Sequence, residues 1–250
     1  SCKINILEKS ELLKRTQKTI IKDSKIRWLN SLKELNNFPC IFIANEFFDA
    51  LPIKQFLKKE KKWHERCVKF NKDKQIEYFD IPFDMKKFEK KIKFKISHNQ
   101  NFIEYSPLTA KYLKTIIEKI KLNNGGILII DYAYLEKKMK NTLQAVSNHK
   151  YCDVLKSFRN SDITYNLSFS LINRIIKKFG HCTSLSTTQK KFLTKLGILN
   201  RAEILSKNMS FSAKADIYFR IKRLIDTKQM GDLFKVMFIT NLKDKFQLGF

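Results

Sequence analysis

Glycine is almost missing from this chain: six in 250 residues, none before Gly125. That excludes a G-x-G-x-x-G turn or a Walker A loop from the first half, because both need backbone without a Cβ lying close to a phosphate. Paired cysteines are missing too. The five cysteines, at positions 2, 40, 67, 152 and 182, are odd in number and contain no C-x-x-C. They speak against a disulfide framework or a zinc site and suit a reducing compartment. No apolar run approaches the roughly 18 residues that cross a bilayer; the best, Gly126–Ile130, sits among charges. No secretory leader pattern opens the chain. Ser1 stands where a Met would start, and the sequence begins inside an apolar strand pattern. The first strand of the domain is therefore expected to be missing.

Arginine is scarce as well, eight residues against 42 lysines. The net charge is nonetheless +26, with 50 basic and 24 acidic side chains. Such a surplus attracts polyanions. The lysines are spread along the whole chain, with short clusters at Lys58–Lys62 and Lys86–Lys95. Lys, Ile, Asn and Phe are also the residues of adenine- and thymine-rich codons, so two readings stand, compositional drift or polyanion recognition. The shortage of arginine, which makes the bidentate base and phosphate contacts, sets the first ahead. Nucleic acid is not expected as a partner, and a hydrophobic fraction of 43% excludes wholesale disorder.

Periodicity predicts a strand at Lys3–Leu7, then a helix capped by Ser10 with Leu12, Leu13, Thr16 and Ile20 along one face. Ile26–Leu32 reads as a second short strand and turn. Cys40–Ala44 is wholly apolar and of strand length, the pattern of a strand buried on both faces. Asn45–Pro52 follows it as a loop. Three segments, Ile53–Leu57, Trp63–Phe70 and Ile76–Phe79, read as antiparallel strands. Ser106-Pro107 opens a helix carrying Leu113, Ile116, Ile117 and Ile120. Asn123 to Gly126 ends it, and Ile127–Ile130 is a buried strand ending at Asp131-Tyr132. The last 110 residues read as mostly helical, with a strand at Phe234–Thr240. The order is that of an α/β protein with an open, largely parallel sheet.

Ligands of such sheets bind beyond the carboxyl ends of the strands. The loop Asn45-Glu46-Phe47-Phe48-Asp49 lies there, with two carboxylates and an amide around two aromatic rings. Carboxylates so placed can hold a cationic amine or guanidinium by charge-assisted bonds. Equally, Glu46 and Asp49 can cap the following turn with the phenylalanines as core. Glu8, after the first strand, suits ribose hydroxyls, but a helix N-terminus would welcome it too. Asp131-Tyr132 is a third candidate at the same edge. His149 lies in a polar loop that can close a site. The four histidines show no metal spacing, and no metal site is expected.

These residues resemble a known family. Asn45 to Pro52 is similar to the signature of the MidA family of S-adenosylmethionine (SAM)-dependent methyltransferases, which includes a mitochondrial protein arginine methyltransferase serving respiratory complex I assembly. Leu7-Glu8-Lys9-Ser10 with Leu12, Leu13 and Gln17 resembles the family's Val-Glu-Thr-Ser-Pro segment. Gly125-Gly126 through Ile129-Ile130-Asp131-Tyr132 resembles its Gly-Gly and Ile-Asp-Tyr-Gly strand. Asn141 to Ala145 with His149, Asp162-Ile163-Thr164 with Phe169, Thr188-Gln189 with Phe192-Leu193, and Met230 to Lys235 follow in family order.

The resemblance implies a Rossmann-like SAM-dependent methyltransferase fold, truncated at the first strand, with an inserted antiparallel β region and extra C-terminal helices. Residues 1–52 would be a partial SAM-binding sheet, 53–105 the insertion, and 106–250 the rest. SAM would be the cofactor, its ribose held by Glu8, its adenine near Ser31, with Asn45 beside it. Asn45, Glu46 and Asp49 would line the methyl-transfer site, and Phe47, Phe48, Asp131 and Tyr132 would meet the substrate. The implied acceptor is a protein arginine on a complex I subunit, in the mitochondrial matrix or a bacterial cytoplasm. A separately encoded amino-terminal piece or a second copy are candidate partners. The chain departs from the family in lacking the Gly-rich loop, in Ala133 for the Gly of Asp-Tyr-Gly, in Asn166 and Ser168 where a His and an Asp stand, and in Lys190 for the Gly of Thr-Gln-Gly. Two other readings stay open, an inactive remnant or one piece of a split enzyme, and a basic nucleic-acid-binding protein.

Overall fold

The structure, a computed structural model, describes residues 2–148, 150–156, 160–180, 182–242 and 248–250. Ile4–Leu7 (β1) and Ile26–Leu29 (β2) pair in parallel, Ile4 opposite Ile26. Helix Glu11–Ile20 (α1) connects them, capped as expected by Ser10, whose Oγ accepts from the Leu13 N–H at 3.3 Å. Its apolar positions are not covered. Leu12 and Ile20 are each 74% exposed, and the one buried residue of the helix is Lys14. Among the described residues, the two-stranded sheet is not hydrogen-bonded to the main one.

Cys40–Asn45 (β3) is a strand, but it is not buried on both faces. Side chains alternate across a strand; Phe42 and Ala44 turn to the core, while Ile41 and Ile43 are 66% and 72% exposed. The reason is its surroundings: β3 has a hydrogen-bonded neighbour at one edge only, among the described residues.

Lys54–Lys59 (β4), Lys62–Phe70 (β5) and Ile76–Pro82 (β6) form the expected antiparallel strands. The basic stretch from Lys86 is a helix, Met85–Ile92 (α2), capped by Asp84. Phe102–Tyr105 (β7) completes a four-stranded sheet in the order β6-β5-β4-β7. Phe56, Phe83 and Phe88 pack together over it, with ring centroids 4.5 to 5.5 Å apart.

Helix Pro107–Asn123 (α3) carries Ser106 as its cap and buries Leu113, Ile116, Ile117 and Ile120. Each such side chain contributes about 1.5–3 kcal/mol by leaving water. Gly125–Tyr134 (β8) is the central strand of the main sheet. It runs past the expected end at Asp131-Tyr132. At Gly125, φ is +125° and a Cβ would lie 2.0 Å from the Cys40 carbonyl oxygen, so only glycine fits where β3 and β8 begin to pair.

Gln144–Ser147 (β9), Lys150–Cys152 (β10) and Asp162–Thr164 (β11) make a small antiparallel sheet. Leu167–Ser168 (β12) extends the end of β8, and helix Phe169–Phe179 (α4) leads to Thr183–Thr188 (β13). These five strands correct the expectation of a mainly helical C-terminal part; each is short, and none but β13 exceeds four residues. Gln189–Lys195 (α5), Ile198–Ser206 (α6), Phe211–Ile225 (α7) and Met230–Leu233 (α8) are helical. Phe234–Thr240 (β14) returns antiparallel to β8, Val236 opposite Ile130, and pairs with β13 on its other edge. The fold is α/β with a mixed central sheet.

Candidate active site

β3 and β8 run in parallel with Asn45 opposite Ile130, so β3 ends beside Asp131 and Tyr132 in the last part of β8. The Glu46 N–H donates to the Ile130 carbonyl at 3.0 Å. There the chain turns sharply: Glu46 has φ +46°, a conformation a non-glycine residue adopts at a cost of order 1 kcal/mol or more. Asn45 and Glu46 are exposed, with Asn45 Nδ2 3.3 Å from Glu46 Oε1. Phe47 is half-buried and packs edge-on against Phe48 and Tyr112, at 5.1 and 5.2 Å.

Below this rim lies a buried acidic pair. Asp131 is fully buried and Asp49 is 3% exposed. Asp131 accepts the Phe48 N–H on Oδ2 at 3.1 Å and the Tyr132 N–H on Oδ1 at 2.9 Å. Burial raises its carboxyl to about 8, with Asp49 adding to the rise and the backbone donors opposing it. Burial also raises Asp49, to about 6, and the Glu46 carboxylate adds to that. The Asp49 carbonyl accepts from the Tyr165 N–H at 3.2 Å. The loop is thereby fastened to β8 and to the segment after β11.

The structure thus brings Asn45, Glu46, Phe47, Phe48, Asp49, Asp131 and Tyr132 to one strand edge. Phe48 and Asp131 have no exposed surface; in this conformation they hold the loop. Glu8 follows the last residue of β1, in the two-stranded sheet, where Oε1 accepts from the Ser10 N–H at 2.8 Å and Oε2 from Gln17 Nε2 at 3.2 Å. Ser31 Oγ accepts from the Lys33 N–H, in a capping box completed by Glu34. His149 lies outside the described residues.

One residue of the site's support escaped sequence reasoning. Glu104, 4% exposed on β7, accepts from Gln55 Nε2 at 2.8 Å, from the N–H groups of Thr142 and Leu143 at 3.0 and 3.2 Å, and from the Thr142 hydroxyl. It ties the Asn141–Ala145 segment to the antiparallel sheet. The signal available was an acid inside the apolar strand Phe102-Ile103-Glu104-Tyr105.

Comparison with known proteins decides the family. Residues 1–188 match the model of a family described as putative S-adenosyl-L-methionine-dependent methyltransferases. The chain belongs to this family. Among curated relatives, the mitochondrial protein arginine methyltransferase NDUFAF7 of Danio rerio is 24% identical over 216 residues, which is 86% of this chain and 51% of that protein. The Caenorhabditis elegans homologue is 28% identical over 182 residues, 70% of this chain and 42% of that protein. The chain spans about half the length of the curated relatives it matches. A Burkholderia thailandensis crystal structure with S-adenosyl-homocysteine bound superposes with a TM-score of 0.79 at 23% identity, over 99% of this chain and 66% of that one. The fold is therefore that of the methyltransferase family, Rossmann-like.

The polar groups of this chain fit parts of a SAM molecule. Each oxygen of Glu8 has one intrachain donor, which leaves each a lone pair for a ribose hydroxyl. Asn45 and Glu46 offer an exposed amide and carboxylate at the strand end. Close approach of backbone has no glycine to serve it between residues 2 and 124.

Proposed function

We propose that this chain carries the ribose and acceptor sides of a SAM-dependent methyl-transfer site whose acceptor is a protein arginine. The observation that carries the reading is Glu46: an exposed carboxylate held at a positive φ beyond β3 by a loop that buried Asp131 anchors. When bound, SAM supplies a methyl group activated on a sulfonium. The chain's part is alignment and electrostatics, since in-line displacement at carbon needs positioning more than a strong base. Glu8 would hold the ribose, and Asn45 would sit beside the sulfonium. Glu46 would accept guanidinium N–H bonds and fix the plane of the acceptor, with Phe47 and Tyr132 as walls. Asp49, 3% exposed beneath the rim and ionised above about pH 6, would take the proton that methylation releases. The names of the relatives support arginine as acceptor, and the motif resemblance extends the reading to a complex I subunit, in the matrix or a bacterial cytoplasm.

The test is transfer of a labelled methyl group from SAM to an arginine-bearing complex I subunit. Glu46→Gln should lower transfer by about 10²-fold or more, the scale of losing one preorganised electrostatic group, and leave SAM affinity within about threefold. Undiminished transfer would remove Glu46 from the mechanism.

A second reading has its own observation. β1 and β3 each have one unpaired edge among the described residues, beside exposed Leu12, Leu13, Ile20, Ile41 and Ile43. These features favour a site completed by a further polypeptide, a separately encoded piece or a second copy. Calorimetric titration of SAM into the cooperatively folded chain separates the two readings. Micromolar binding supports a self-sufficient site; no binding supports completion by a partner.

A further inference from the structure

A cleft of about 520 Å³ lies between α4, the loop before β7 and the segment after β8. Lys137, Lys138, Arg174, Lys177 and His98 line it, and no Asp or Glu does. Neither Arg174 nor any of these lysines forms an ion pair among the described residues. Arg174 is half-buried; it donates to the Lys95 carbonyl and lies 4.7 Å from the Phe94 ring centroid. Burial presses its guanidinium below the ordinary value, and the Glu89 carboxylate nearby opposes that only in part.

The walls are tied together. Buried Gln100 donates through Nε2 to the Lys137 carbonyl at 2.9 Å and accepts the Met139 N–H at 2.8 Å. The Ser184 hydroxyl donates to Asn173 Oδ1 at 2.7 Å, fastening α4 to β13. Cations from separate stretches of chain are thus held around one concavity whose lining carries no acidic side chain, and like charges brought together there repel. A solvated lysine surface needs no such framework.

We propose that this cleft binds a small molecule carrying a diphosphate. Its volume lies within the few-hundred-to-1,000 Å³ range of small-ligand sites. A guanidinium fork beside lysine point charges matches phosphoryl oxygens, which accept several charged donors at once. Ser170 brings a hydroxyl and the first turn of α4, where backbone N–H groups lack intrahelical acceptors. The ligand lies on residues other than Asn45 to Asp49, so the inference stands independently of methyl transfer.

The probe is inorganic pyrophosphate, titrated calorimetrically into the full chain at about 0.15 M ionic strength. One saturable site is expected. The double substitution K137E/K138E, both at exposed positions, should weaken it at least tenfold, and R174K, which keeps the charge and removes the fork, about fivefold. K72E/K74E in the β5–β6 turn makes the same charge change and should alter affinity by less than twofold. Equal weakening by the two double substitutions would overturn the proposal in favour of general attraction to a +26 chain. So would the lack of saturable binding by a chain that unfolds cooperatively.

Discussion

Strands β3 and β8 are close in composition and opposite in circumstance. β8 is hydrogen-bonded along both edges, and its Ile127 and Ile129 are fully buried. β3 is bonded along one, and its Ile41 and Ile43 stand in solvent. The helices repeat the contrast. α1 and α3 are each capped by a serine and carry apolar residues at helical spacing, yet α3 buries its stripe and α1 exposes it. An apolar pattern therefore specifies an element and the face that would be buried; whether that face is covered depends on what else reaches it.

The sharpest way to break the comparison is to place a charge on each strand. Ile129→Lys on β8 buries an unpaired ammonium and should cost more than about 4 kcal/mol, enough to abolish cooperative unfolding. A stably folded variant, seen by circular dichroism and urea titration, would mean that β8 is not the covered strand. Next in size is Glu104→Leu. It strips the Thr142 and Leu143 N–H groups of their acceptor, leaving Gln55 Nε2 only Asn141 and the Thr142 hydroxyl only the Asn166 carbonyl, and should cost about 3 kcal/mol in urea denaturation, since buried donors left unpaired lose their full desolvation. Retained stability would show that the Asn141–Ala145 segment is held otherwise.

The third effect is in the pH profile. Asp49 and Asp131 have folded values of about 6 and about 8, above the ordinary carboxylate value. The native state thus binds their protons more tightly than the unfolded chain does. The stability this lends is complete below about pH 4 and is lost as pH rises through 6 and then 8. Asp131→Asn keeps the position neutral, so the fall in Tm near pH 8 should flatten while the step near pH 6 remains. An unchanged profile would assign the upper step to other groups. Smallest of all is Ile43→Lys on β3, expected to shift stability by no more than about 0.5 kcal/mol, as at other solvent-facing positions. A loss above about 1.5 kcal/mol would mean that this face is covered in solution, by a second copy or another chain.

Much of the site was readable in advance because its signals are local. A wholly apolar strand followed by Asn45-Glu46-Phe47-Phe48-Asp49 marks a strand end whatever surrounds it. Ser10 and Ser106 mark their helices by bonds to N–H groups three residues on. What escaped was non-local. β9 to β12 are two to four residues long, too short to show a period, and β11 and β12 pair with strands well upstream in the chain. Glu104 finds its donors 38 and 39 residues away at Thr142 and Leu143. Glu46 takes a positive φ where its N–H is held by the Ile130 carbonyl, and no side-chain preference announces it.

By itself the sequence determined most of the strands and helices up to β8, the family, and the acidic loop at a strand end, because periodicity, capping and turn chemistry act within a few residues. Only the tertiary structure decided that Asp131 is buried beneath that loop, that β3 is open on one face, and that unpaired cations meet in one cleft. Those outcomes depend on which surfaces come together, and charge repulsion, desolvation and burial are properties of the meeting place, with no counterpart in the order of residues along the chain.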